Sequence, residues 1–164
     1  MSKVLNKVGG LLIKKKLTIA FAESATGGRL STDFSIVENA GEFLKGGIVC
    51  YDACIKEDLL KVDHELIKKF TPESIEVTRA ITKGVGQMIP ADIHVGVTGL
   101  TCPGGSETKE KPVGTIFIYG QRGSTTIFSE RVRFTGSKKK IVKAAVNACG
   151  QFLLSYLQTL DETS

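Results

Sequence analysis

The sequence predicts an α/β protein, a single-domain three-layer α/β/α sandwich with a mixed sheet. Short apolar runs alternate with longer segments of helical periodicity. Two later strand-like runs are joined by a tight turn, as in an antiparallel hairpin. The chain has 164 residues, 41% of them hydrophobic and 24% charged, and contains no internal repeat, so we expect one domain over residues 1–164.

The first half of the chain alternates between helix and strand. Apolar residues spaced three and four apart predict an opening helix that ends in the basic stretch 14–16, where cations suit the helix dipole. The other elements expected here are a buried strand at 17–22, a helix carrying Leu30, Phe34 and Val37, a strand at 45–51, and a helix at 52–62 capped by Asp52.

The second half contains a long loop and the hairpin. Thr71 is the expected N-cap of a helix with Pro72 in its first position and Met88 facing inward. The Gly- and Pro-rich loop at 100–114 is long enough to suggest a function. The other elements expected are a short helix at 64–70, strands at 94–99, 115–120 and 125–134, and a long amphipathic helix from Lys138.

Composition narrows the class of partner. The formal net charge of +5 suits an anionic ligand, but the chain has no Trp, only three Tyr, and no nucleic-acid-binding motif. We therefore expect a small phosphorylated molecule rather than nucleic acid or a membrane. The N-terminal apolar runs are short and the four cysteines form no CxxC pair, which predicts a cytoplasmic protein with free thiols and no metal.

Polar residues follow three predicted strands, at the ends where ligands of open α/β sheets bind. Ser24 and Thr26 follow the first strand, Tyr51 and Lys56 the second, and Thr98 ends the third. No histidine accompanies them, so a Ser-His-Asp triad is not expected. Lys56 is the candidate base, because burial and the start of a helix both lower the pKa of an ammonium group.

Each of these residues also has an ordinary structural interpretation. Ser24 suits a turn or helix cap, and Lys56 suits a solvated surface. Glu23 is either a buried acid that orients backbone or an exposed turn residue. The lysine run 138–140 opposes the dipole of its own helix, which indicates an anion site beside the preceding turn or else a solvated basic face.

Five segments occur in an order and spacing that resemble a known family: AESATGG, GGIVCYDACIK, VTGLTCPGG, KPVGTIFI and FTGSKKK. They are similar to the CinA C-terminal domain family, which includes the bacterial nicotinamide-nucleotide amidases. The resemblance extends from about Leu17 to Leu157. It implies an amidase that converts nicotinamide mononucleotide into nicotinate mononucleotide and ammonia without a cofactor or metal. The oligomeric state stays open, a homo-oligomer included.

The resemblance also implies a nucleophile, Ser24, with Tyr51, Lys56 and Thr98 in the active site. In the mechanism that we expect, Lys56 takes the Ser24 proton directly or through Tyr51. The N–H groups of the TGG turn and the Thr98 hydroxyl are the expected oxyanion donors. The substrate phosphate is expected at Lys138 or at the glycine loop. The expected substrate-binding residues are Glu23, Thr26, Gly27, Gly28, Gly99, Gly104, Gly105 and Lys138.

The chain departs from the family pattern at several positions. Ala25 follows Ser24 where the family usually has Cys, and Thr101 and Cys102 replace Ala and Gly. Lys138 stands at a position where the family commonly has Arg, and lysine cannot form the bidentate hydrogen bonds of a guanidinium group. These departures leave a second hypothesis, a non-catalytic nucleotide- or partner-binding module of the same fold. A nucleic-acid-binding competence factor ranks last.

Overall fold

The computed structural model describes residues 2–161 and arranges them around a five-stranded sheet. The helices are α1 (Lys3–Lys14), α2 (Arg29–Ser35), α3 (Ala53–Asp58), α4 (His64–Phe70), α5 (Ile75–Met88) and α6 (Lys138–Thr159), with a short 3-10 helix at Ala40–Glu42. The strands are β1 (Ile19–Glu23), β2 (Leu44–Val49), β3 (Ile93–Gly99), β4 (Thr115–Arg122) and β5 (Thr125–Arg133).

The sheet has the strand order β2-β1-β3-β4-β5 and is mixed. β1 runs parallel to both β2 and β3, whereas β4 pairs antiparallel with β3 and with β5. The predicted α/β class with a mixed sheet is therefore confirmed. Because β1, β2 and β3 are parallel, their carboxyl ends lie at one edge of the sheet, which is where such folds bind ligands.

Helices cover both faces of the sheet. Successive strand residues point to opposite faces. Phe21 of β1 therefore packs into a core shared with α1, α2 and α6, while its neighbour Ala22 packs into a core shared with α4 and α5. α5 lies against β1, β3 and β4, and α6 lies against α1 and β5. The three-layer arrangement predicted from the sequence is confirmed.

The start of α5 differs from the prediction. Its N-cap is Ser74, whose hydroxyl accepts a hydrogen bond from the Val77 N–H at 3.2 Å. Thr71 instead ends α4 in a left-handed conformation with φ +70°. Pro72 consequently lies outside the helix. At the far end of α5, Met88 is 45% exposed rather than inward, so that prediction was also wrong.

The end of α3 also differs from the prediction. Asp52 caps the helix as expected, since its carboxylate accepts a hydrogen bond from the Cys54 N–H at 2.8 Å. The helix stops at Asp58 rather than near residue 62, because Lys61 adopts a left-handed conformation with φ +57°. The Val62 N–H then donates back to the Lys56 carbonyl oxygen at 3.0 Å, which closes the turn after the helix.

α6 begins at the lysine run, as predicted. Ser137 is its N-cap and accepts a hydrogen bond from the Lys140 N–H at 3.4 Å. Of the C-terminal residues 161–164 that were expected to fray, those beyond Asp161 lie outside the described residues. Within residues 2–161, no helix, α6 included, has both the length and the apolar character needed to cross a membrane.

Gly84 allows α5 to approach the segment that follows α3. A Cβ atom at position 84 would lie 2.3 Å from the Leu60 carbonyl oxygen, so a larger residue would force backbone to move. By contrast, a Cβ atom at Gly10 in α1 would meet nothing within 4 Å. The same substitution should therefore have opposite effects at the two positions.

We expect Gly84→Ala to lower the free energy of unfolding by about 1 to 3 kcal/mol, the usual cost of overpacking. Gly10→Ala should raise it by up to about 1 kcal/mol, because alanine is the better helix former and the space is open. Urea denaturation followed by circular dichroism measures both changes. Equal effects of the two substitutions would contradict the close approach of α5 to Leu60.

Candidate functional site

A cleft of about 220 Å³ lies beyond the carboxyl ends of β1 and β3. The predicted site residues that line it are Ser24, Tyr51, Gly99, Gly104 and Gly105, and Glu73 and Cys102 line it as well. A larger groove of about 630 Å³ lies between α1, α2 and α6. The described residues of that groove contain no serine bonded to a lysine, so the chemistry favours the smaller cleft.

Lys56 and Ser24 are in direct contact. The Lys56 Nζ atom lies 2.9 Å from Ser24 Oγ, 2.6 Å from the Cys50 carbonyl oxygen and 3.2 Å from the Tyr51 carbonyl oxygen. The lysine is 1% exposed, so the alternative of a solvated lysine is wrong. The predicted approach of a serine and a lysine from different strand ends is confirmed by these distances.

Burial changes the acidity of Lys56. Loss of hydration lowers the pKa of the Lys56 ammonium group below its ordinary value. The carboxylates of Glu73 and Asp52 act in the opposite direction and raise it part of the way back. The expectation that burial tunes Lys56 is therefore met, with desolvation as the main cause.

Tyr51 meets Lys56 through its backbone and Lys138 through its side chain. The Tyr51 hydroxyl accepts a hydrogen bond from Lys138 Nζ at 3.3 Å, and the Lys138 nitrogen lies 5.8 Å from the centre of the tyrosine ring. This contact raises the pKa of Lys138. Tyr51 thus connects the lysine at the start of α6 to the rim of the cleft.

Glu23 is a buried acid that orients backbone. It is fully buried at the end of β1, and both of its carboxylate oxygens accept hydrogen bonds. The donors are the Thr26 hydroxyl at 2.6 Å and the backbone N–H groups of Gly28, Leu30 and Ser31 at 3.1, 2.9 and 2.7 Å. The side chains of Glu23 and of the 4% exposed Thr26 therefore shape the turn, and contact of either residue with substrate stays a prediction.

The two glycines of the turn supply its backbone conformation. Gly27 and Gly28 have φ +56° and φ +94°, in the left-handed region that favours glycine. Their N–H groups donate to the Ser24 carbonyl oxygen and to Glu23, respectively. By contrast, the N–H groups of Ala25 and Thr26 donate to no described residue. Of the TGG segment, only the Thr26 N–H is thus free, and the Ala25 N–H, directly after Ser24, is free as well.

Thr98 lies behind the cleft rather than on its surface. It is fully buried, and its hydroxyl lies 2.9 Å from that of Thr78. Thr78 donates its own hydrogen to the Ser74 carbonyl oxygen at 2.6 Å, so Thr98 must donate to Thr78. This arrangement corrects the expectation that Thr98 lines the site and donates to an oxyanion.

A set of contacts that sequence reasoning missed holds the glycine loop. The Ser106 hydroxyl donates to Glu73 Oε2. Lys111 Nζ donates to Ser106 Oγ at 2.8 Å and to the Glu73 carbonyl oxygen at 2.9 Å. We call Glu73, Ser106 and Lys111 the loop clasp. Glu73 is more than thirty residues away from Ser106 and Lys111 in the sequence, so no local pattern in the chain indicates the clasp.

Glu107 accepts a hydrogen bond from a backbone N–H group of the glycine loop. Its Oε1 atom accepts a hydrogen bond from the Gly104 N–H at 2.8 Å. This contact lowers the pKa of the Glu107 carboxyl. The carboxylate of Glu107 therefore lies on the glycine loop, whereas that of Glu73, on the segment between α4 and α5, is bonded to the loop through Ser106.

The cysteines are free, as predicted. Cys50 and Cys149 are buried, and burial raises the pKa of the Cys50 thiol to about 11. Cys102 is exposed and lines the cleft, as expected of the cysteine nearest the site. Residues 2–161 contain no group of three or more His, Cys, Asp or Glu side chains arranged to hold a metal ion.

We expect Glu23→Gln to lower the free energy of unfolding by about 2 to 3 kcal/mol. The amide leaves at least one buried N–H without an acceptor and weakens the remaining bonds by removing the charge. Asp33→Asn is the control, because Asp33 forms an exposed ion pair with Arg29 and should cost less than about 1 kcal/mol. Denaturant titration compares the variants. A Glu23→Gln variant as stable as the control would rule out the anchoring role.

The CinA C-terminal domain model matches residues 1–157 of the chain. A CinA-like protein of Prochlorococcus marinus subsp. pastoris is 34% identical over 140 residues, which cover 84% of this chain and 32% of that protein. A CinA-like protein of Thermotoga maritima is 36% identical over 153 residues, which cover 90% of this chain and 36% of that protein. The chain thus spans about a third of the length of these relatives.

Solved structures have the same architecture. The crystal structure of a competence-damaged protein (CinA) superfamily protein from Enterobacter cloacae superimposes with a TM-score of 0.88 at 28% identity, covering 94% of this chain and 90% of that one. Sequence and fold thus agree with the resemblance drawn from the motifs, and the chain belongs to the CinA C-terminal domain family.

Proposed function

We propose that the protein is an amidase that hydrolyses the carboxamide of nicotinamide mononucleotide through an acyl-serine intermediate. The observation that carries this proposal is the buried Lys56 amine 2.9 Å from the Ser24 hydroxyl beside a cleft. A pure binding module has no need of a nucleophile and a base in contact. The choice of substrate rests on the family, which includes nicotinamide-nucleotide amidases, and on the charges around the cleft.

Two backbone carbonyls prepare Lys56 to act as the base. The Cys50 and Tyr51 carbonyl oxygens accept two N–H groups of the amine. In the neutral amine, the lone pair then faces Ser24 and can take its hydroxyl proton. Burial favours this neutral form because it lowers the pKa of Lys56. Transfer is direct, so the Tyr51 phenol is not required as a relay.

The N–H groups of Ala25 and Thr26 are the proposed oxyanion donors. When Ser24 Oγ bonds to the carboxamide carbon, the carbonyl oxygen gains negative charge and needs donors that are already in place. The Ala25 and Thr26 N–H groups donate to no other described residue, whereas those of Gly27 and Gly28 are engaged. The donors therefore come from the residues directly after the nucleophile.

Lys56 completes the reaction by returning its proton. The Lys56 ammonium group protonates the leaving nitrogen, the C–N bond breaks, and ammonia departs while the acyl group stays on Ser24. The neutral amine then takes a proton from water, which attacks the ester carbon, and the proton finally passes to Ser24 Oγ. All proton transfers pass through Lys56, and the cycle balances without a cofactor.

The charges around the cleft favour the phosphate at Lys138 over the glycine loop. The Glu73 carboxylate lines the loop side of the cleft, the Gly104 N–H is already bonded to Glu107, and the Lys111 amine is engaged in the loop clasp. On the other side, Lys138 contacts Tyr51 at the rim of the cleft. A phosphate would find the donors of the loop side already engaged, whereas the ammonium group of Lys138 attracts it. Of the two positions expected from the sequence, the structure supports Lys138.

The direct test is ammonia release from nicotinamide mononucleotide by the purified protein. We expect Ser24→Ala to reduce kcat by at least about a thousandfold while nucleotide binding persists, because only the nucleophile is lost. Ser35→Ala is the matched control, since Ser35 is exposed and its hydroxyl bonds only to the Thr32 carbonyl oxygen. Tight nucleotide binding without ammonia release by the unmodified protein would favour the binding-module hypothesis instead.

We expect Lys138→Ala to raise KM for the nucleotide by about 10- to 100-fold with a smaller change in kcat, the effect of losing a charged hydrogen bond to phosphate. Lys139→Ala, at the exposed neighbouring lysine, should change KM little. The dephosphorylated nucleoside should be a poor substrate that is indifferent to the Lys138 change. An unaltered KM, or equal damage to nucleoside and nucleotide turnover, would make the lysine run a solvated helix start.

A further inference from the structure

We infer that Glu73 determines specificity: its carboxylate selects substrates whose ring carries a positive charge. The inference rests on the proposed function, because it concerns the ring of a nicotinamide nucleotide held against Ser24. It adds a residue that no motif of the chain indicated and a property of the substrate, the oxidation state of the ring, that the amide chemistry alone does not require.

Glu73 lies beside the reacting groups. It belongs to the short segment between α4 and α5 and lines the same cleft as Ser24 and Tyr51. Its negative charge acts against burial and raises the pKa of Lys56, the amine that contacts Ser24 Oγ. The charge of Glu73 therefore acts on any molecule whose carboxamide meets Ser24.

The loop clasp fixes the position of this carboxylate. Ser106 donates to Glu73 Oε2, and Lys111 binds both Ser106 Oγ and the Glu73 carbonyl oxygen. Lys111 also donates to Thr71 Oγ1 at 2.5 Å, which ties the residues just before Glu73 to the same amine. A side chain that is already held loses little entropy when a ligand binds, so its charge can discriminate between ligands.

The second oxygen of Glu73 is available to a ligand. No described residue donates a hydrogen bond to Oε1, and this atom is not among the buried polar atoms that lack a partner. A Cβ atom on Gly105 would lie 3.9 Å from Oε1, so the oxygen lies beside the glycine that lines the cleft. The Oε2 atom of Glu73 thus holds the side chain in position, and the Oε1 atom remains free to contact a ligand.

A nicotinamide nucleotide matches this arrangement with its two charges. In its oxidised form, the ring nitrogen is quaternary and positive, and a single ring carbon separates it from the carbon that bears the carboxamide. With the amide at Ser24, the positive ring lies on the side of Glu73 and the phosphate extends toward Lys138. The 1,4-dihydro form has a similar shape and the same phosphate, but its ring is neutral. It therefore loses the attraction to Glu73.

The test compares the two ring forms on full-length protein carrying Ser24→Ala, so that binding is measured without turnover. By calorimetry, we expect oxidised nicotinamide mononucleotide to bind at least about tenfold more tightly than its 1,4-dihydro form. Adding Glu73→Gln, which keeps an acceptor for Ser106, should bring the ratio to within about twofold by weakening the oxidised form alone. Glu73→Asp should retain most of the preference.

Glu76→Gln is the matched control, because it removes the same charge nearby but lies outside the cleft lining. It should leave the tenfold ratio in place. Equal affinities in the presence of Glu73, or a preference that survives Glu73→Gln, would overturn the inference, even if ammonia release establishes the amidase. A preference that depends on Glu73 without ammonia release by the unmodified protein would sustain the inference and reject the activity. Absence of binding by either form would reject both.

Discussion

The candidate site depends on a carboxylate that solvent does not reach. Glu23 ends β1 inside the protein, and four donors from the next eight residues surround its two oxygens. An unpaired carboxylate in such a place would be very costly, so the backbone must wrap around it. This wrapping sets the start of α2, directs the turn past Ser24 and leaves the Ala25 and Thr26 N–H groups free.

Lys56 presents the opposite case, a buried group that is only partly compensated. Its amine contacts three oxygens, none of which is charged. The residual penalty for the ammonium form appears as the lowered pKa. The short helix that carries Lys56 is fixed at both ends, by Asp52 at its start and by the Val62 N–H on the Lys56 carbonyl at its close. These two contacts therefore fix the position of Lys56 even though α3 is short.

The sheet could be predicted from the sequence because it follows from local patterns, whereas Ser24 and Lys56 were only candidates on spacing alone and were selected by the resemblance to the CinA C-terminal domain family. Alternating apolar segments predict the strands, and parallel strands bring Ser24 and Lys56 to one edge of the sheet. The roles of Thr98 and Glu73 could not be predicted from the sequence, because they depend on partners distant in the chain, Thr78 and Ser106. Thr71 misled for a related reason: a good capping residue can also adopt the left-handed conformation that ends the preceding helix.

Under the proposed amidase function, the Glu73 carboxylate also bears on product release. Glu73 lines the cleft together with Ser24. Hydrolysis of an amide in that cleft would convert a neutral group into a carboxylate, and the new charge would share the cleft with Glu73. Like charges in a partly dehydrated cleft repel one another. In the proposed reaction, the cleft would thus disfavour the acid product relative to the uncharged amide and promote its departure.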